Sequence, residues 1–388
     1  MLRSAWRILT THAGSLPRPP ALNALLARRS RGEPIDGDAL AREVEAATRN
    51  AVARQLACGI DVGNDGEQPR ESFFTHVRER LSGFGGRSQR PLMRDLVRYP
   101  SFLALKAPEF QRDMVSLLAA PRAEGDVRYV DAGPLEREIA AYHRILDAAP
   151  GRFAESFWTS PSPGIVASAM ENAHYPSLEA YVDAVADALR TEYEAIAHAG
   201  FVLQIDAPDL AMERHTLFAD RPLGDFLRFV ESVVAALNRA LERIPAERVR
   251  LHVCWGNYEG PHDLDVALEE ILPRVLEARA GALVLSMANP RHAHEHGVLA
   301  RAGFPKDRVL VAGVIDTTTN YVEHPEVVAE RLERAALAVG DPHRVLAGTD
   351  CGFGTAAGLG EVAEEVVWQK LRALRAGADL ASERLIGR

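Results

Sequence analysis

The chain has 388 residues, 47% of them hydrophobic and 26% charged, with a formal net charge of −9. That length suits one large α/β barrel or two ordinary domains, and it can bury a core without disulfide staples. The negative balance argues against nucleic-acid and anionic-membrane partners, and no apolar run reaches the ~18 residues of a membrane span.

Eight short β-rich runs recur along the chain: Ile8–Ser15, Gly59–Glu67, Ala154–Ser160, Phe201–Asp206, Val249–Cys254, Ala282–Met287, Val309–Ile315 and Val345–Asp350. Several are apolar at consecutive positions, as expected for strands covered on both faces of a parallel sheet. Helical stretches with apolar residues three and four apart lie between them: Asp38–Leu56, Leu178–His198, Leu223–Arg243, Leu264–Ala278, Pro325–Val339 and Gly360–Ala376. Strand–helix alternation repeated eight times predicts a (β/α)8 TIM barrel, and an open doubly wound sheet is the alternative. The whole chain, 1–388, reads as one barrel domain. Residues 70–150 are too long for a single βα connection and predict a hairpin and helical insertion between the second and third strands.

Polar side chains gather at the C-terminal ends of these runs, the face that carries the active site in a TIM barrel. His12 and Ser15 close the first run. Asn64, Asp65 and Glu67 close the second, and Asp206 and Asp209 end or follow the fourth. Asp316 follows the seventh, and Asp350 and Cys351 end the eighth. His252 and Cys254 alternate on one strand and therefore face the same way. With Cys351 they make an imidazole–dithiolate set suited to zinc, and three protein ligands would leave a fourth position for substrate. The alternative is that both are core residues. Cys58, in QLACGID, reads as a buried apolar residue. So sparse and odd a set of cysteines argues against a disulfide framework and for a reducing, cytoplasmic setting. The N-terminal nineteen residues lack the apolar core of a secretory signal. His292 and His296, in NPRHAHEH, would stand one turn apart on a helix and could share a metal; in a loop they would simply be solvated. The glycines of GTDCGFGTAAGLG lack both the Walker lysine and dinucleotide-fold spacing.

Taken in order, TTHAGSLPRP, IDVGNDGE, LQIDAPDL, HVCWG, ANPRHAHE and GTDCGFG resemble the catalytic domain of cobalamin-independent methionine synthase. Within that superfamily they are most similar to the single-domain branch that includes epoxyalkane:coenzyme M transferase. The resemblance implies a TIM barrel with zinc on His252, Cys254 and Cys351. It further implies that Ser15, Glu67 and Asp206 hold the amino-acid end of a thiol substrate. The implied activity is that of a zinc-dependent thiol alkyltransferase in methionine biosynthesis. It would move a methyl group from a donor such as methyltetrahydrofolate to a homocysteine-like acceptor, as a 5-methyltetrahydropteroyltriglutamate–homocysteine methyltransferase does.

The leaving group of either an alkyl donor or an epoxide needs a proton, for which Asp206 and Asp350 are candidates. Trp158 and Trp255 are candidate walls of the acceptor pocket. One departure stands out: where methionine synthases place a zinc-associated glutamate, three residues before an arginine, this chain has Ala288 before Arg291. Alternative readings are an epoxide–thiol transferase of the coenzyme M type, a zinc-free uroporphyrinogen-decarboxylase-like enzyme, and a non-catalytic zinc-binding barrel. The expected partners are a small-molecule thiol and an alkyl donor, without nucleic acid or membrane, and a homo-oligomer is left open.

Overall fold

Nine strands occur among the described residues: β1 (Val62–Gly63), β2 (Phe84–Gly85), β3 (Arg122–Ala123), β4 (Glu155–Pro161), β5 (Val202–Asp206), β6 (Val249–Val253), β7 (Ala282–Ser286), β8 (Val309–Ile315) and β9 (Val345–Thr349). They are seen in a computed structural model that describes residues 1–387 except 109–114, 116 and 119; the part of the expected 70–150 excursion on those positions lies outside the described residues. Seven strands form one parallel sheet in the order β1-β4-β5-β6-β7-β8-β9. Every residue of β5 to β9 is buried, which explains why they are apolar apart from a few polar side chains directed at the site.

The first expected strand, Ile8–Ser15, is shorter than its sequence suggests. Only Thr10 makes a ladder bridge, to Ala347 of β9. The segment nevertheless closes the sheet. Leu9 O accepts from Ala347 N and Thr11 N donates to Ala347 O, both at 2.8 Å, while Thr10 O on the other side accepts from Val62 N at 2.9 Å. Side chains replace the remaining ladder bonds: Asp61 Oδ2 takes Thr10 N, and Thr11 Oγ1 donates to the Val62 carbonyl. The second run likewise keeps only Val62–Gly63, because Gln55 Oε1, Asn64 Oδ1 and Asp65 Oδ1 accept from the amides of Asn64, Gly66 and Glu67. The result is a TIM-type barrel whose first staves are partly side-chain-bonded.

Helices cover the outside of the sheet. Leu178–His198 and Pro325–Val339 have the bounds that their periodicity predicts, and Ser177 caps the former through Ala180 N. Between β1 and β4 lies the hairpin and helical insertion. β2 and β3 pair antiparallel, and short helices Arg94–Arg98 and Pro100–Lys106 precede the longer Gly133–Asp147. Among the described residues no helix is long and apolar enough to cross a membrane.

Candidate functional site

β6 supplies the centre of the site. Its alternate residues Arg250 and His252, followed by Cys254, line up on one side by the two-residue strand period, and all three are buried. β5 lies beside it in register, with Asp206 opposite His252. Asp206 Oδ1 accepts from His252 Nδ1 at 3.0 Å and from Gln204 Nε2 at 2.6 Å. This fixes the ring and leaves Nε2, which is 3.3 Å from the Asp350 carbonyl, as the outward nitrogen. Cys351, two residues beyond the end of β9 and next to Asp350, completes the group. Ligand atoms of His252, Cys254 and Cys351 all lie within 4.8 Å of one another.

The electrostatics of the trio favour a cation. The Cys351 thiol donates toward Cys254 and, despite burial, the neighbouring His252 adds to this, so Cys254 ionises far below its ordinary range; Cys351 is pushed up correspondingly. Burial disfavours charge on His252, but the charge of Cys254 and the hydrogen bond to Asp206 outweigh it and raise its pKa to about 10. Two sulfurs sharing one proton, an imidazole braced by a carboxylate, and deep burial form a donor set that fits zinc.

These residues open onto a cavity of about 320 Å³ that Ser15, Glu67 and Asp206 also line, with apolar walls from Phe73, Met93, Leu96 and Met212. Glu67 has φ 55°. Its Oε1 accepts from Thr159 Oγ1 at 2.9 Å, and its Oε2 is buried without a partner. Burial, then the charge of Asp206, raises its pKa to about 7. Gly14 makes room for this carboxylate: it has φ 132°, and a Cβ there would stand 2.4 Å from Glu67 Oε1. Gly14→Ala is therefore expected to cost about 1–3 kcal/mol in stability and to weaken thiol binding while zinc is retained. Denaturant unfolding and calorimetric thiol titration check this, and unchanged thiol affinity would refute the role given to Gly14. Ser15 Oγ accepts from Gly354 N at 3.2 Å, so it also braces the loop after Cys351.

Three of the sequence-based assignments need correction. The Asp350 carboxylate turns away from the large cavity and accepts the backbone amides of Met287, Ala288 and Asn289 at 2.7–2.9 Å; it holds the loop after β7 in place. Trp158 lines neither cavity at the site; it is packed in the core against Phe201 and Tyr142, with Arg70 over its ring. Trp255 is absent from the large cavity and instead lines the small one beside Cys351. It stacks on His292 with ring centroids 3.9 Å apart and donates to the Val266 carbonyl. Buried tryptophans far more often fill core volume than form ligand walls.

The sequence reading also missed a buried polar chain beneath the site. Arg250 Nε donates to Gln204 Oε1 at 2.7 Å, its Nη1 to Thr11 Oγ1 and its Nη2 to the His12 carbonyl, and its guanidinium lies 3.5 Å over the Phe157 ring. The signal was the two-residue spacing of Arg250, His252 and Cys254, and of Gln204 and Asp206, inside otherwise apolar strands.

The family described as "Cobalamin-independent synthase, Catalytic domain" matches residues 118–375. A methionine synthase of Saccharolobus solfataricus is 24% identical over 380 residues, covering 97% of this chain and 95% of that protein. The methionine synthase of Sulfolobus acidocaldarius is 23% identical, covering 89% and 85%. In structure, the chain superposes on a B12-independent methionine synthase from Shewanella sp. W3-18-1, solved in complex with selenomethionine. The TM-score is 0.73 at 23% identity, over 98% of this chain and 100% of that one. With the greater part of its length matched, the chain belongs to the cobalamin-independent synthase catalytic-domain family.

Proposed function

We propose that the protein is a zinc-dependent thiol alkyltransferase that methylates a homocysteine-like thiol from a donor such as methyltetrahydrofolate. The observation that carries this reading is the convergence of His252, Cys254 and Cys351 on the same cavity as Ser15, Glu67 and Asp206. Zinc held by the first three would supply the Lewis acidity that keeps a thiol ionised near neutral pH. Asp206 orients His252 through Nδ1 and, with Glu67, offers carboxylate oxygens to a substrate ammonium. The apolar walls exclude water from the reacting sulfur and carbon.

The test is a two-substrate assay pairing homocysteine and simple thiols with methyltetrahydrofolate, other methyl donors and an epoxide. Methyl transfer to an amino-bearing thiol is the expected result; turnover of the epoxide alone would overturn the proposal. Within that assay, Glu67→Gln is expected to raise the thiol KM about 10–100-fold, the worth of one charge-assisted hydrogen bond. Because the Glu67 pKa is raised to about 7, its carboxyl is largely neutral at lower pH and ionises as pH rises through that value. Thiol binding should therefore strengthen from about pH 6 to 8 in the native protein, and Glu67→Gln should flatten that slope. An unaltered slope would remove Glu67 from the ammonium site.

A further inference from the structure

A second group of metal-type side chains lies apart from the thiols. His215 comes from the segment after β5, His262 and Asp265 from the segment after β6, and His292 from the segment after β7. His262 Nδ1 and His292 Nε2 each stand 2.8 Å from Asp265 Oδ2, and His215 Nδ1 stands 3.0 Å from Asp265 Oδ1. All four side chains are 4% exposed or less. Ligand atoms of His262, Asp265 and His292 lie within 4.8 Å of one another.

Two further features point to a cation. The outer nitrogens of two rings are already anchored: His262 Nε2 is 3.1 Å from the Tyr258 carbonyl, and His292 Nδ1 is 2.9 Å from Glu295 Oε2. Glu295 is in turn fixed by accepting Leu268 N at 2.7 Å. Outer acceptors of this kind aim the opposite nitrogens inward, as they do around metal-bound imidazoles. Moreover, both ring nitrogens of His215 and Oδ1 of Asp265 are buried without a hydrogen-bond partner; the 3.0 Å approach between them is not aligned for one. Leaving such groups unsatisfied costs about 1–3 kcal/mol each. His262 is also held at φ 53°, a conformation that side-chain-bearing residues adopt only when their surroundings impose it.

We propose that His215, His262, Asp265 and His292 bind a second divalent cation of the zinc class, with three nitrogen donors and one oxygen. Tetrahedral bonds of about 2.0 Å set donors about 3.3 Å apart; the contacts of His262 and His292 to Asp265 Oδ2 would open by a few tenths of an ångström, while His215, which approaches the other oxygen of Asp265 and stands outside the compact trio, would have to turn in to complete the shell. Four protein ligands complete the shell and leave no position for substrate, which makes the site structural. Asp265 and Glu295 together offset the charge of a divalent ion. The ion would tie together three loops on the C-terminal face of the barrel. Two of them supply Met212, Asn257 and Tyr258 to the large cavity, and the Trp255 ring stacked on His292 couples the cluster to Cys254 next to it in sequence.

The test removes the thiols first. Cys254→Ser/Cys351→Ser protein, stripped with a chelator and shown by circular dichroism to be folded, is titrated with Co2+ and with Zn2+. It should bind one equivalent of Co2+, giving visible d–d bands without thiolate-to-cobalt charge transfer, and Zn2+ should raise its thermal midpoint. In that background His262→Ala or His292→Ala should abolish binding. Glu295→Gln, which spares every ligand and is the variant to use if the histidine changes do not fold, should weaken it about 10–100-fold. The inference falls if the folded cysteine variant binds no metal, or if its affinity is indifferent to both the histidine and the Glu295 changes. Native protein showing the d–d bands alone would refute the thiolate site and leave this one standing.

Discussion

Cys254→Ser and Cys351→Ser should each lose the thiolate-bound metal, and turnover should fall by about a thousandfold or more. Each sulfur provides one of the three protein donors that converge there among the described residues, and a serine hydroxyl is neither ionised at neutral pH nor soft enough to replace a thiolate. Removing either also destroys the arrangement in which one thiol donates to the other. The Lewis-acid contribution of a catalytic zinc is several kcal/mol, and each ~1.4 kcal/mol is a factor of ten in rate, which sets the expected loss. The readout is the thiolate-to-cobalt charge-transfer band of cobalt-substituted protein, measured beside kcat. Cys58→Ser is the control: Cys58 Sγ lies 3.5 Å from the Trp368 carbonyl, in the hydrophobic core, so both band and turnover should persist. If either ligand variant keeps the full band, the assignment of that cysteine is wrong.

Strands β5 to β9 are easier to read from sequence than the first two runs. β5 to β9 are buried at every residue, so their apolar runs mark them almost to the residue. In the first two runs, side-chain oxygens of Gln55, Asp61, Asn64 and Asp65 take amides that a ladder would otherwise use, and nothing in apolar periodicity reports such substitutions. At the site, His252 and Cys254 were legible because a strand repeats every two residues. The helical pairing considered for the histidine-rich NPRHAHEH segment does not form, because the helix begins only at His296. His292 and His296 therefore do not share a helical face. His296 Nδ1 bonds the Ala293 carbonyl, while His292 reaches Asp265, 27 residues away in sequence. Glu295, a conceivable substitute for the carboxylate that Ala288 lacks, is committed to His292 and Leu268 N.

Glu323→Gln should destabilise the fold by about 3–5 kcal/mol, the cost of stranding a buried charge. The charge is Lys370, one of only three lysines in the chain. It lies on the helix Glu364–Leu385, its side chain is fully buried, and its Nζ stands 3.0 and 3.2 Å from the two oxygens of Glu323, itself 1% exposed. Glutamine keeps the shape and one acceptor oxygen but removes the countercharge. The Tyr321 ring, 4.7 Å from Nζ, offers far less. Glu323 Oε1 also accepts Asp316 N at 2.9 Å, so the pair ties the last helix to the loop after β8. That loop, through Asp316 and Thr317, lines a small cavity beside Cys351. Loosening the pair should therefore be felt at the site as a modest rise in thiol KM as well as in stability. Removing both charges with Glu323→Leu/Lys370→Met should recover most of the loss, since apolar replacements of a buried pair are often close to neutral. Denaturant unfolding of the wild type, Glu323→Leu, Lys370→Met and the double variant measures the coupling directly. Losses that simply add would show that the two side chains are not energetically paired, and a Glu323→Gln cost below about 1 kcal/mol would show that water reaches the ammonium.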